Sequence, residues 1–186
     1  MARYISLRML VCTILMAAIP FTLPSKASAA SAAELNQEVD QALKTLLAKS
    51  ESARTLAEKA KGILVFPAIT KAGFIVGGQY GQGALRVNGK TAGYYSSAAA
   101  SYGLQAGIQK FGYALFFMSD SALNYLDKSD GWELGTGPSI VIVDVGAAGS
   151  LSTTTAKSQV YAFFFSQKGL MAGIGLQGTK VTRINK

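Results

Sequence analysis

The chain has 186 residues, 18 of them Lys or Arg against 10 Asp or Glu, with one cysteine and no histidine. That length suits one domain with a core of its own. The missing histidine removes Ser-His-Asp and Cys-His catalysis and every imidazole metal site, which takes away most hydrolase readings.

Residues 1–29 read as a secretory signal peptide. Arg3 and Arg8 precede an apolar run from Met9 to about Leu23, followed by Ala27-Ser28-Ala29 with cleavage expected after Ala29. Only 17 residues separate Arg8 from Lys26, and Pro20 and Pro24 interrupt them, so an uncleaved spanning anchor is the lesser alternative. Cys12 sits inside this run after Met9-Leu10-Val11, without the small residue that a lipoprotein signal places before its cysteine. The mature chain then holds no cysteine, which rules out thiolate metal sites, and 15 basic against 10 acidic residues give it a net charge of +5. An exported protein without disulfides suits a bacterial envelope, periplasmic or secreted. Its cations are scattered singly, which does not suggest nucleic acid as a partner.

Residues 30–61 form a helical segment. Leu35, Val39, Ala42, Leu43, Leu46 and Leu47 recur at the spacing of one helix face, and Ser50 breaks or caps before a shorter face of Ala53, Leu56, Ala57 and Ala60. Glu34, Glu38, Asp40, Glu51 and Glu58 balance Lys44, Lys49, Arg54, Lys59 and Lys61. That balance favours a helix packed on its own domain over a polybasic helix lying on a membrane.

All 20 glycines fall at or after Gly62, so residues 62–186 are read as a Gly-rich β domain. Short runs rich in β-branched and aromatic residues predict strands over Ile63–Ile69, Phe74–Val87, Thr91–Tyr102, Leu104–Met118, Ser139–Val145, Val160–Phe165 and Leu170–Leu176. Asn88-Gly89 predicts a two-residue hairpin turn with positive φ at both positions. Ser119 or Asp120 caps a short helix carrying Ala122, Leu123 and Leu126. Glycine weakens strands, so Gly73, Gly77, Gly78, Gly81, Gly83, Gly103, Gly107 and Gly112 imply bulges, bends or close backbone packing. The expected fold is α+β: amphipathic helices followed by a strongly curled antiparallel sheet or partial β-barrel.

The carboxylates Asp120, Asp127, Asp130, Glu133 and Asp144 read as cap and loop residues, and they lack EF-hand spacing. Gly173-Ile174-Gly175-Leu176-Gln177-Gly178 formally matches a dinucleotide fingerprint, but only eight residues follow it, too few for the helix and second strand. Gly77 to Gly83 lacks the Gly-Lys-Ser/Thr ending of a P-loop, and Ser152 to Thr155 reads as a surface loop. No enzyme, cofactor or metal is expected.

The motifs carry a resemblance. Ala60-Lys61-Gly62-Ile63-Leu64, Lys71-Ala72-Gly73-Phe74, the Gly77 to Gly83 cluster and Ser101-Tyr102-Gly103-Leu104-Gln105-Ala106-Gly107 come first. Gly131-Trp132, Tyr161, Phe163, Ser166 and Lys168-Gly169-Leu170-Met171-Ala172-Gly173-Ile174-Gly175-Leu176-Gln177-Gly178 follow in order. Together they resemble the SYLF family, also known as the actin-binding domain of a yeast actin-patch protein, which has exported bacterial members. The resemblance covers the chain from about residue 33 onward and implies lipid binding, chiefly of phosphoinositides in eukaryotic members, some of which also bind actin. For an exported bacterial chain it implies an anionic membrane lipid as the partner. Lys61, Lys71 and Lys168 fall within the matching motifs and are the candidate lipid-binding residues, each near a glycine that lets backbone approach a head group. A strand-end lysine blunting a sheet edge is the competing explanation. An envelope structural or interaction protein, self-associating or holding a protein partner, is the alternative function, and a small outer-membrane barrel is a third.

Overall fold

The structure is a computed structural model that describes residues 31–128, 131–144, 158–169 and 178–186. The expected signal peptide, the Ser152 to Thr155 loop, the Leu170–Leu176 strand and all but the last residue of the fingerprint-like glycine run lie outside the described residues.

Two helices lead. Helix α1 (Ala32–Lys49) opens with a reciprocal capping box in which the Ser31 hydroxyl accepts from the Glu34 N–H and the Glu34 carboxylate accepts from the Ser31 N–H. Ser50 ends it and caps α2 (Glu51–Ala57) by accepting from the Ala53 N–H, so one serine both stops and restarts the helix. Leu35, Val39 and Leu46 of α1 with Ala53 and Leu56 of α2 pack on Val65, Ala84, Ala114, Phe116, Tyr161, Phe163 and Phe165 of the sheet. The apolar stripe is therefore used by its own domain, and each large side chain buried there contributes about 1.5–3 kcal/mol.

Strands β1 (Gly62–Val87) and β2 (Lys90–Phe117) are one long antiparallel ribbon closed by Asn88-Gly89, whose φ angles of 51° and 74° match the expected turn. Each merges two of the separately expected strands, because glycine here bends a strand without ending it. At Gly73 an added Cβ would collide with the Gly77 backbone, and opposite it β2 spends extra residues between Tyr102 and Ala106. The ribbon folds over at this level. Gly81 and Gly83 then lie against the backbone of Ala68 and Val65, so the second half of β1 crosses its own first half.

After α3 (Asp120–Lys128), β3 (Trp132–Glu133) and β6 (Lys180–Ile184) extend the sheet beside the first half of β2, while β5 (Val160–Gly169) and β4 (Ile140–Asp144) extend it beside the second half. The sheet order is β3-β6-β2-β5-β4, with β1 on the other edge of β2. The sheet is thus mixed, not antiparallel throughout, because β4 runs parallel to β5. Residues 145–159 lie between them, enough chain for a crossover. The inner face gathers Phe66, Ile69, Phe111, Tyr113, Leu115 and Phe117 with Trp132 and the α3 residues Ala122 and Leu126. No described helix is long and apolar enough to cross a membrane, which says nothing of crossing by strands.

Candidate functional site

The three motif lysines occupy different parts of the sheet. Lys61 is exposed just ahead of β1, where its backbone N–H donates to the Phe117 carbonyl at 2.8 Å. Lys71 is directly opposite Gln109 on the inner face, and both side chains are buried, at 8% and 4% exposure. The Gln109 Oε1 has no hydrogen-bond partner among the described residues. Lys168 is exposed in β5, directly opposite Lys110 of β2. Phe117 and Lys110 are seven residues apart on one strand, which separates Lys61 from Lys168 by roughly 23 Å. The structure therefore does not bring the three together.

What it brings together instead is Lys168 and Lys110, and Thr70 of β1 completes their row across three strands. Facing residues of paired strands share a side of the sheet, so both ammonium groups lie on the outer face with water around them. Bulges make this local geometry. Pro67-Ala68 adds a residue to β1 and Ser166-Gln167 adds one to β5, with Ser166 at φ 54°, on either side of Gly112 in β2. An added Cβ at Gly112 would overlap the Phe165 ring, so this glycine lets the flanking strands close in. Sequence reasoning missed Lys110 because it stands outside the quoted motifs. Its i, i+2 spacing from Ile108, with both residues exposed, is the signal that marks the face.

A second polar constellation ties α1 to the ribbon. The Arg86 side chain is buried, and its guanidinium donates to the Asp40 carboxylate at 2.7 and 3.0 Å, to the Asn36 side chain at 2.9 Å, to the Asn36 carbonyl at 3.2 Å and to the Thr91 hydroxyl. A cavity of about 420 Å³ adjoins it, lined by Asp40, Leu43, Glu58, Ile63, Arg86 and Asn88 among others. All five guanidinium N–H groups are engaged, so Arg86 has none left for an anion in that cavity. It acts as a latch.

Among the described residues, Tyr95 and Tyr113 are the phenols with displaced ionisation. Burial raises the Tyr95 pKa, helped by its hydrogen bond to Asp127 at 2.6 Å, and burial alone raises that of Tyr113, whose hydroxyl donates to Ser97 at 2.7 Å. Both stay protonated donors at neutral pH. Among the described residues no three His, Cys, Asp or Glu side chains gather as metal ligands.

Residues 98–186 match the family model Ysc84, described as Las17-binding protein actin regulator, over just under half of the chain. The match is to the SYLF family that the motifs resemble. The match begins within β2 and takes in Lys110, α3 and β3 to β6. The family is one of actin-binding and lipid-binding domains without enzymatic function. No curated protein matches the chain.

Proposed function

We propose that this protein is a non-enzymatic lipid-binding module that docks on anionic phospholipid at a membrane surface, exported from the cytoplasm to the periplasm or beyond. The observation that carries the reading is the Lys110–Lys168 pair. Like charges directly opposite on a sheet repel, an arrangement that favours an anion lying across both. Of the lysines in the matching motifs, Lys168 contributes most on this reading. Lys61 adds charge from the other end, and a head group would have to enter the sheet interior to meet Lys71. Phosphoinositides fit the same chemistry, as head groups with more phosphates for the same two ammonium groups.

Cosedimentation with phosphatidylglycerol vesicles at low and high salt tests it. Binding at low salt that weakens as the Debye length falls from roughly 10 Å to 3 Å supports the reading, and absence of binding at low salt refutes it.

One observation favours the alternative of a protein-interaction or self-associating envelope protein. Strand β4 is a sheet edge whose Val141 and Ile142 are exposed, and among the described residues nothing pairs with its outer side. Light scattering of a monomer, with no partner recovered by crosslinking, counts against it.

A further inference from the structure

The folded end of the β1–β2 ribbon carries large apolar side chains in water. Ile108 is 65% exposed and Val76 is 64% exposed, more than any other large hydrophobic side chain among the described residues. Ile108 faces Ala72 on the outer side, two residues before Lys110, so it shares a face with the Lys110–Lys168 pair. Val76 stands just past the fold, next to Gly77, whose Cα lies against Gly73. An apolar tip is thus set beside two cations.

The charge around it is one-sided. No Asp or Glu occurs from residue 59 to 119 or from 145 to the end of the sequence, so β1, β2, β5 and β6 contain only basic charges. In register, the acidic position of the neighbouring strand is Asp144, opposite Phe164 and four residues short of Lys168. Some other cations of the sheet do have carboxylates: Arg86 pairs with Asp40 at 2.7 Å, Arg183 pairs with Asp127 at 3.1 Å, and Lys180 faces Glu133 in register. A protein partner would need matching carboxylates around an apolar socket, whereas an anionic bilayer offers phosphate above hydrocarbon in the same order as Lys above Ile.

Resting on the lipid-binding reading, we infer that the protein docks on an anionic bilayer by this folded end, with Ile108 and Val76 entering the acyl boundary while Lys110 and Lys168 meet the phosphates. The ribbon is suited to this because its bend is held by backbone packing at Gly73. The wedge is presented by a preformed sheet, and no helix has to unpack.

The test uses the intact chain and a tryptophan readout that its N-terminal segment does not affect, since Trp132 is the only tryptophan and is buried in the core. In Ile108→Trp, bromine on the lipid acyl chains of phosphatidylglycerol vesicles should quench at least half of the added emission, and wild-type Trp132 should stay unquenched. Lys110→Gln with Lys168→Gln should weaken vesicle affinity roughly twenty-five-fold, about five-fold for each lysine lifted from an anionic surface. Lys44→Gln with Lys49→Gln on α1 should leave it unchanged. Vesicle binding by wild type with residue 108 unquenched, or with the double variant binding as well as wild type, overturns the docking surface and leaves lipid binding intact. Failure of wild type to bind overturns both. A wild-type dimer dispersed by Ile108→Ser would assign this face to a second copy and overturn the inference too.

Discussion

Gly83→Ala probes the self-crossing of β1. A methyl there would overlap the Val65 carbonyl oxygen and lie 2.7 Å from the Phe66 ring. Carbon and carbonyl oxygen rest at roughly 3.3 Å or beyond, so the two halves of β1 must part by about 1 Å in a close-packed interior. Because the obstacle is backbone, the cost falls at the top of the overpacking range, about 3 kcal/mol. Gly78→Ala is the matched control, since its methyl would meet only the Ala99 carbonyl oxygen at 3.7 Å. Reduced freedom of the unfolded chain makes that change neutral or stabilising by up to ~1 kcal/mol. In urea unfolding followed by circular dichroism, Gly83→Ala should lose about 3 kcal/mol at unchanged slope, or roughly 6–12 °C in Tm. Should the two variants unfold within about 1 kcal/mol of each other, the crossing of β1 over itself is wrong.

Asp40→Asn should destabilise by about 1–2 kcal/mol in the same assay. It leaves the buried Arg86 without its counterion, a loss of roughly 3 kcal/mol or more for a fully buried pair, here reduced because Asp40 is mostly exposed. Leu46→Ala, which empties a site 1% exposed between α1 and the sheet, should cost about 2–4 kcal/mol and raise the protease sensitivity of α1 first. The raised pKa values of Tyr95 and Tyr113 mean that their contribution is fully present below the ordinary tyrosine value of about 10 and is lost as pH rises beyond it, because the unfolded state releases those protons first. Urea midpoints should therefore hold from pH 8 to 10 and fall above that, and Tyr95→Phe with Tyr113→Phe should flatten the fall.

The helical segment was legible because a 3.6-residue stripe and a serine cap are local signals, and Asn88-Gly89 was legible because positive φ at two successive positions leaves few alternatives. The unbroken length of β1 and β2 was not. Glycine marks a turn and a bend alike, and only the tertiary approach of Gly81 and Gly83 to the first half of β1 distinguishes them. Strand β6 is absent from the expected strands, although buried Val181 between Lys180 and Thr182 carries the alternation of an edge-side strand. Parallel pairing of β4 with β5 depends on a distant connection that leaves no local mark. The site was legible only in part, for the same reason. Lys71 and Lys168 stand in similar motifs, yet the bulges at Pro67-Ala68 and Ser166-Gln167 decide which side of the sheet each side chain takes, and one is buried while the other meets water.

The latch and the charge map together bear on how such a domain meets a surface. For α1 to lie on a membrane it would have to withdraw Leu35, Val39 and Leu46 and break the five guanidinium contacts of Arg86. A bilayer could rebury those three side chains, but it would leave Ala114, Phe116 and Phe163 of the sheet facing water, at about 1.5–3 kcal/mol for each aromatic residue. The helical segment also brings as many carboxylates as cations, so an anionic surface offers it no net attraction. The sheet end needs no such rearrangement, and its one-signed charge turns the molecule as it approaches, with the helices trailing. On this reading, cutting the latch with Arg86→Leu should weaken the fold and leave vesicle affinity unchanged at temperatures where the variant is folded. A gain in affinity would show instead that α1 is the membrane-seeking part, held back by its own sheet.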